Sequence, residues 1–278
     1  MTLHATYFGA NGWLLEFEGL RVLVDHWLTG PLRFPPGDWF FRGELPHPWP
    51  VPEGLDLLLL TQGLPDHCHP ASLSLLDRQL PVVGSSSAAA RARALGFTRV
   101  TAVSPGQEHS HGPLQIQATA GAPVPQVENG YRLVHPAGSI YLEPHGFLAT
   151  DPATAPRGPV DVAITPVVDL GLPLAGAFVK GAQVLPQLLE RLQPAVVLAS
   201  TAGGDVRFQG WLSQILWQKG STEQAAAVVG AATVSATTAS GGSSSGSMGE
   251  TGPERCRLID PVPGERYVLS GCATTTPV

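Results

Sequence analysis

The segment that decides the fold is Leu57–His69, LLLLTQGLPDHCH, in which four consecutive leucines lead directly into a polar loop. The predicted strand Leu55–Leu60 is almost wholly apolar, which is typical of a β-strand buried on both faces. Asp66, His67 and His69 follow it within a few residues, and all three side chains can bind a metal. Because ligands of open α/β sheets gather at such strand ends, the segment predicts a functional site there.

Short strands and helices are predicted on both sides of this segment. Upstream, apolar runs separated by glycine turns predict a β-meander over His4–Phe8, Trp13–Glu18 and Leu20–Asp25. Helices are predicted over Ala71–Leu80, Ser85–Leu95, Gly181–Leu192, Arg207–Gln218 and Ser221–Ala232. Further strands are predicted over Pro81–Gly84, Val100–Val103, Leu114–Ala120, Tyr131–His135, Ser139–Leu142, Val160–Thr165, Pro194–Ala199, Cys256–Ile259 and Arg266–Leu269. Two β-sheets covered by helices is the most economical architecture.

Two irregular segments interrupt what we interpret as a single domain over residues 1–278. Trp27–Pro52 is rich in proline and aromatic residues, and two interpretations remain open for it: a loop packed by its own side chains, or a cover over a substrate. The Ser/Gly/Thr-rich stretch Ala236–Gly252 predicts a flexible surface insertion and not a domain boundary.

Composition argues against two classes of partner and is compatible with a small-molecule substrate. The formal net charge is −6 without any Lys/Arg cluster, which argues against nucleic acid and anionic membranes as partners. The apolar runs are too short to span a bilayer. The residues Met1–Glu18 lack the pattern of a signal peptide. The three cysteines, Cys68, Cys256 and Cys272, are odd in number and widely spaced, which fits a reducing compartment. We therefore expect a cytoplasmic protein, and the sequence does not predict its oligomeric state.

The loop after the leucine strand resembles the signature of the metallo-β-lactamase superfamily, an apolar strand followed by Thr-His-x-His-x-Asp-His. Thr61, Asp66 and His67 match this pattern, whereas Gln62 and Leu64 stand where the family has its two leading histidines. In the family those histidines bind the first metal and the Asp-His pair serves the second. The resemblance therefore implies a degenerate, at most mononuclear metal site.

The resemblance extends over most of the chain. Tyr7–Glu16 is similar to the family's opening hairpin. Val22–Leu28 is similar to its apolar-Asp-Pro-Trp-Leu segment, with His26 in place of the proline. Ser139–Gly146 is similar to the strand that ends in the family's metal-bridging aspartate, which would fall at or beside His145. The family's other two histidines would fall near Gly121–Ala122 and near Ser200–Thr201, where the sequence has none. Within the family, the chain resembles the lactonase-like branch and a variant group with Gln-Gly-Leu-x-Asp-His-x-His. The resemblance implies an αββα sandwich of two mixed β-sheets flanked by helices.

Two functions follow from this resemblance. In the first, Asp66, His67 and His145 hold one zinc, iron or manganese ion, His69 is a fourth ligand, and Glu143 assists proton transfer while a metal-bound water attacks an ester, lactone or phosphoester. In the second, the protein binds no cofactor and keeps the fold as a non-catalytic binding or scaffold module. A third and weaker idea is oxygen chemistry, since some branches of the family hold iron.

Each candidate residue also has a structural interpretation. Asp66 can shape its loop by accepting backbone N–H bonds, His67 can be a hydrogen-bonded partner, and His69 can cap a helix. His145 can be bonded to its own loop, and Glu143 can be a solvated residue at a strand end. Asp25 is expected either to support the ligands from behind or to be an ordinary turn carboxylate.

Overall fold

The computed structural model describes residues 2–124, 126–200, 206–239 and 256–269, with only the backbone of 233–239. In chain order the strands are β1 (Leu3–Gly9), β2 (Gly12–Phe17), β3 (Leu20–Val24), β4 (Leu32–Arg33), β5 (Arg42–Glu44), β6 (Leu57–Leu60), β7 (Val82–Gly84), β8 (Val100–Ala102), β9 (Glu108–His111), β10 (Leu114–Pro123), β11 (Val127–His135), β12 (Gly138–Leu142), β13 (Val162–Pro166), β14 (Asp169–Leu172), β15 (Gly176–Lys180), β16 (Val196–Ser200), β17 (Arg207–Gln209), β18 (Trp217–Lys219), β19 (Arg257–Ile259) and β20 (Arg266–Val268). The helices are α1 (Pro70–Leu73), α2 (Ser86–Ala94), α3 (Gly181–Leu192), α4 (Trp211–Ile215) and α5 (Thr222–Ala239).

Two seven-stranded mixed sheets form the centre of the molecule. The first has the order β20-β1-β2-β3-β6-β7-β8 and the second the order β19-β16-β13-β12-β11-β10-β9. Strand β6 is parallel to both of its neighbours, β3 and β7, as expected for a continuous apolar run. Leu57 and Leu59 pack between the two sheets, while Leu58 and Leu60 lie in the cluster under α2 on the outer face. The alternation of a pleated strand therefore explains why all four positions are leucine.

Helices cover the outer face of each sheet. On the first sheet the cluster includes Leu73 of α1 and Ala88 and Ala92 of α2. On the second sheet α3 contributes Leu185, Leu188, Leu189 and Leu192, and α5 contributes Ala225 and Val229. The predicted αββα sandwich of two mixed β-sheets flanked by helices is confirmed.

The helix predicted over Arg207–Gln218 is wrong. Only α4 is helical there, because the residues before it pair as β17 with β5 and those after it pair as β18 with β14. Gly210, between β17 and α4, has φ 103°, a left-handed conformation that glycine adopts without strain. Both pairings are with strands far away in the sequence, so a local pattern of apolar residues could not predict them.

Two other predictions need correction at their boundaries. The helix predicted over Ala71–Leu80 is α-helical only in α1, and the amides of Leu75 and Leu76 then bond three residues back in tighter turns. The polar stretch Glu108–His111, for which no strand was predicted, forms the edge strand β9 and pairs with β10. The helix α5 runs to Ala239, so the first residues of the predicted insertion Ala236–Gly252 are helical, and the rest lies outside the described residues.

The segment Trp27–Pro52 contains two short strands, β4 and β5, which form a three-stranded sheet with β17. Its aromatic side chains pack on each other: the ring centroids of Phe34 and Phe41 are 5.5 Å apart, and those of Trp39 and Phe40 are 5.9 Å apart. These contacts favour the interpretation of a segment packed by its own side chains, and a role as a substrate cover stays a prediction. Within the described residues, no helix is long and apolar enough to cross a membrane.

Truncating the core between the sheets tests this architecture. Leu133 lies on β11 and is fully buried in that core. We expect Leu133→Ala to lower the free energy of unfolding by about 2–5 kcal/mol, because it leaves a cavity. Leu174 is fully exposed, and Leu174→Ala should change the same quantity by less than about 0.5 kcal/mol. Urea unfolding followed by circular dichroism measures both, and equal effects of the two substitutions would contradict the assignment of the core.

Candidate functional site

The site lies where strands of both sheets end. Asp25 follows β3 directly, and Thr61 follows β6, its parallel neighbour in the first sheet. In the second sheet, His145 lies in the loop after β12, which runs parallel to β13. The carboxyl ends of these strands therefore bring side chains from distant parts of the sequence to one edge of the sandwich, as in other open α/β sheets.

The carboxylate of Asp25 organises the first-sheet half of the site. It is buried and accepts hydrogen bonds from the backbone N–H of Thr61 at 2.8 Å and from the Thr61 hydroxyl. His67 donates its Nδ1–H at 2.8 Å to Oδ2 of the same carboxylate, the oxygen that also accepts from the Thr61 hydroxyl. These contacts hold the His67 ring in one orientation, which fits the supporting role expected for Asp25.

The other nitrogen of His67, Nε2, is surrounded by three polar groups. The amide nitrogen of Gln62 lies 2.7 Å from it, the amide nitrogen of Asn11 lies 3.2 Å from it, and a carboxylate oxygen of Asp66 lies 3.2 Å from it. The same Gln62 nitrogen lies 3.3 Å from Nε2 of His145. His67 has no exposed surface, so both of its ring nitrogens are enclosed.

Two carboxylates determine the charge of this cluster. Burial by itself would lower the pKa of His67, but Asp66 and Asp25 outweigh burial and raise that pKa to about 10. For Asp66, desolvation acts to raise the pKa, and the neighbouring His67 and His145 overcome it and lower the pKa below its ordinary value. When the His67 ring is protonated, a half-turn of the Gln62 amide presents its oxygen in place of its nitrogen. The amide therefore suits either protonation state of the ring.

His69 is engaged away from this cluster. Its Nδ1 accepts a hydrogen bond from the backbone of Ser72 at 3.3 Å, and its Nε2 lies 3.2 Å from the carbonyl oxygen of Pro31. It is thus the N-cap of α1 and ties this helix to the segment 27–52. Its assignment as a metal ligand stays a prediction, and these contacts are those of the helix-cap interpretation.

Glu143 is buried, and its carboxylate accepts backbone hydrogen bonds. The donors are Ala122 at 3.2 Å, His145 at 3.0 Å and Phe147 at 2.6 Å. The nearest oxygen of Glu143 is 3.8 Å from Nδ1 of His145. The proposed role in proton transfer stays a prediction, and these contacts instead shape the loop that presents His145.

Asn11 is the site residue that sequence reasoning missed. It lies in the turn between β1 and β2, and its only signal was its place in a hairpin that resembles the family's opening hairpin. Together with Asp25, Glu143 and Ser200 it lines a cavity of about 10 Å³, roughly the volume of one water. Ser200 and Ala122 lie where the family would place histidines. Both residues do lie at the site, but neither has a side chain that binds a metal strongly.

Comparisons with known proteins place this fold in a family. The family model described as "Beta-lactamase superfamily domain" matches residues 4–200, and the chain belongs to this superfamily. A search of curated proteins finds no significant match.

Solved structures with the metallo-β-lactamase fold resemble the chain over nearly its whole length. Isothiocyanate hydrolase from Delia radicum gut bacteria is 14% identical with a TM-score of 0.60, over 96% of this chain and 99% of that one. A possible metal-dependent hydrolase from Veillonella parvula is 12% identical with a TM-score of 0.60, over the same shares. CmlA, a diiron β-hydroxylase from Streptomyces venezuelae, is 17% identical with a TM-score of 0.58, over 97% of this chain and 54% of that one. At these identities the likeness shows the fold alone.

The residues at the site do not fit a metal ion in their present arrangement. Across the described parts of the chain, no group of three or more His, Cys, Asp or Glu side chains is placed to hold one. A metal bound to imidazole lies roughly 2.0–2.1 Å from the nitrogen. The Gln62 amide already lies against Nε2 of both His67 and His145, so an ion could enter only if this amide moved away.

The protonated His67 ring predicts a loss of stability in alkali. The folded protein holds this proton up to about pH 10, while the unfolded chain releases it near 6.5. The contribution of the protonated His67 ring to the free energy of unfolding is therefore complete below about pH 6.5 and is lost as the pH rises to about 10. We expect His67→Gln to lower the free energy of unfolding by about 3–5 kcal/mol near neutral pH and to flatten this dependence. Urea unfolding across that pH range, with His111→Gln as control, measures it, and an unchanged slope would contradict the prediction.

His26 predicts the opposite dependence on the acid side. Its ring is fully buried and makes no hydrogen bond of ordinary geometry, and burial lowers its pKa to about 3. The unfolded chain takes up this proton near 6.5, so stability falls as the pH drops from about 6.5 towards 3. His26→Leu should raise the free energy of unfolding by about 1–3 kcal/mol and reduce the acid sensitivity. Unfolding experiments in acid measure the free energy of unfolding of both proteins. An equal increase in His47→Leu, at an exposed position, would contradict the role assigned to the buried His26 ring.

Proposed function

We propose that this chain is a member of the metallo-β-lactamase superfamily that keeps the fold as a binding or scaffold module and does not carry out metal-dependent hydrolysis at this site. The observation that carries the proposal is the set of polar contacts that encloses both ring nitrogens of His67. Asp25 occupies one ring nitrogen, and Gln62, Asn11 and Asp66 surround the other. A hydrolytic metal needs an imidazole nitrogen that faces an open coordination position.

The small size of the space at the site supports the same proposal. The cavity beside Asn11, Asp25 and Glu143 measures about 10 Å³, whereas pockets for small-molecule ligands are roughly 300–1,000 Å³. The side chains that reach the surface here are those of Asp66, which is 25% exposed, and His145, which is 12% exposed. An ester or lactone would therefore meet the outer edge of the network and not the His67 ring.

A second function has one specific observation in its favour. The oxygen Oδ1 of Asp66 is buried without a hydrogen-bond partner, and it belongs to the carboxylate next to His67 and near His145. If the Gln62 amide turned away, Asp66, His67 and His145 would offer two imidazoles and a carboxylate, a donor set that suits zinc, iron or manganese. The chain would then be a single-metal hydrolase of esters, lactones or phosphoesters, in line with the name of one similar structure, a possible metal-dependent hydrolase from Veillonella parvula.

Metal content and turnover together decide between these functions. We expect tag-free protein to contain well below one equivalent of zinc, iron or manganese by elemental analysis. We also expect no hydrolysis of p-nitrophenyl acetate, a γ-lactone or bis-p-nitrophenyl phosphate above the rate of Asp66→Ala. His67→Ala should change the unfolding midpoint without changing those background rates, because the ring is held by Asp25 in the interior.

The contrary result is equally specific. About one equivalent of metal that is lost in both Asp66→Ala and His145→Ala, with turnover lost in the same two variants, would establish the single-metal hydrolase. His111→Ala serves as the matched control, since His111 lies on the edge strand β9 and should leave metal content and rates unchanged.

A further inference from the structure

The geometry points to the Gln62 amide as the replacement for a metal ion: a neutral side chain that fills the ion's position and joins the two sheets. Gln62 follows β6 of the first sheet, and His145 follows β12 of the second. One atom, the amide nitrogen of Gln62, lies 2.7 Å from Nε2 of His67 and 3.3 Å from Nε2 of His145. The two imidazoles therefore share this amide as a common partner, as they would share a metal ion bound to both.

The two imidazole rings are arranged around this group. Their centroids are 5.6 Å apart and their planes are inclined by 28°, so both Nε2 atoms face the same small volume. An amide has two N–H donors on its nitrogen and two lone pairs on its oxygen, so either end of the Gln62 amide can serve two imidazole nitrogens. When a ring is protonated, the amide oxygen accepts from it instead. Gln62 can therefore hold both rings without any ion.

The backbone on either side of Gln62 holds it in place. The carbonyl oxygen of Thr61 accepts from the backbone N–H of Asn129 at 3.2 Å, and the N–H of Gly63 donates to the hydroxyl of Ser87 at 2.8 Å. A Cβ at Gly63 would lie only 2.9 Å from Ser87, so the chain passes too close for any other residue there. Gln62 as a whole is only 1% exposed, so its amide is enclosed by the protein beside the imidazoles.

The inference deepens the proposed function and rests on it, because both concern the same metal-free site. It adds that the presence of an amide at position 62 is what excludes the ion. Gln62→Glu changes the amide to a carboxylate of the same shape and places an acidic ligand between two imidazoles beside Asp66. Two nitrogens and two carboxylates form a donor set that suits zinc.

The experiment measures the melting temperature and bound zinc of the full chain, with zinc chloride or with EDTA. We expect the wild-type protein to melt at the same temperature in both conditions. Gln62→Glu should bind about one equivalent of zinc and melt higher with zinc than with EDTA, since an ion that binds only the folded state stabilises it. The gain should disappear in the double variant Gln62→Glu/His145→Ala. Gln117→Glu is the matched control, a buried glutamine on β10 that should gain nothing from zinc.

A second variant covers the case in which Gln62→Glu does not fold. Gln62→Met keeps the length of the side chain and removes its hydrogen bonds, so it should melt about 2–4 °C lower than the wild type, in zinc and in EDTA alike. The inference is overturned if folded Gln62→Glu binds no zinc, or if Gln62→Met melts at the wild-type temperature.

The two proposals fail in different ways. Metal-dependent turnover by the wild-type protein would end the proposed function. If the wild-type protein binds zinc with the same affinity as Gln62→Glu, the inference about the amide is contradicted, even in the absence of turnover.

Discussion

The buried carboxylate of Asp25 is the interaction on which the rest of the site depends. It sits at the end of β3 with φ 39°, a left-handed conformation that is uncommon for a residue other than glycine. From there it accepts the backbone N–H and hydroxyl of Thr61 and the Nδ1–H of His67. Because a buried carboxylate needs partners of this kind, its position determines the start of the loop after β6, and that loop carries Gln62, Asp66 and His67.

This dependence explains how the fold can persist while the chemistry at its edge changes. The resemblance to the family implies a metal ion held by Asp66 and His67 of the first sheet and His145 of the second. Here the amide of Gln62 contacts the imidazole of His145 on the opposite sheet, and the amide of Asn11 contacts His67. Hydrogen bonds of this kind need no cofactor and hold the same side chains near each other. The site, and not the fold, is therefore where function must be tested in this chain.

The elements that could be predicted are those with a strong local pattern. The leucines of β6 and the amphipathic face of α3 lie where their periodicity placed them, because burial on two faces or on one face leaves a direct trace in the sequence. The short strands β5, β14, β17 and β18 could not be predicted, since each is defined by a partner far along the chain. The resemblance likewise placed His67 and His145 near each other.

The roles of individual polar residues followed from neighbours that no motif describes. The ring nitrogens of His69 contact Ser72 and Pro31, and the carboxylate of Glu143 accepts hydrogen bonds from three backbone N–H groups. Asn11 sits in a glycine turn, where an asparagine usually signals only the turn itself. Composition and spacing predict which atoms can coordinate or donate, but the partner that each atom meets depends on the tertiary packing.

The C-terminal strands β19 and β20 form one border of each central sheet. Strand β20 pairs with β1 at the outer side of the first sheet, and β19 pairs with β16 at the outer side of the second. The match to the family model ends at residue 200, before either of them. A chain that stopped at that point would present two bare strand borders, each with a row of unsatisfied backbone N–H and C=O groups that can recruit another chain. The short strands β19 and β20 thus cover most of the open border of β16 and β1, and losing them would leave longer strand edges to which another chain could add.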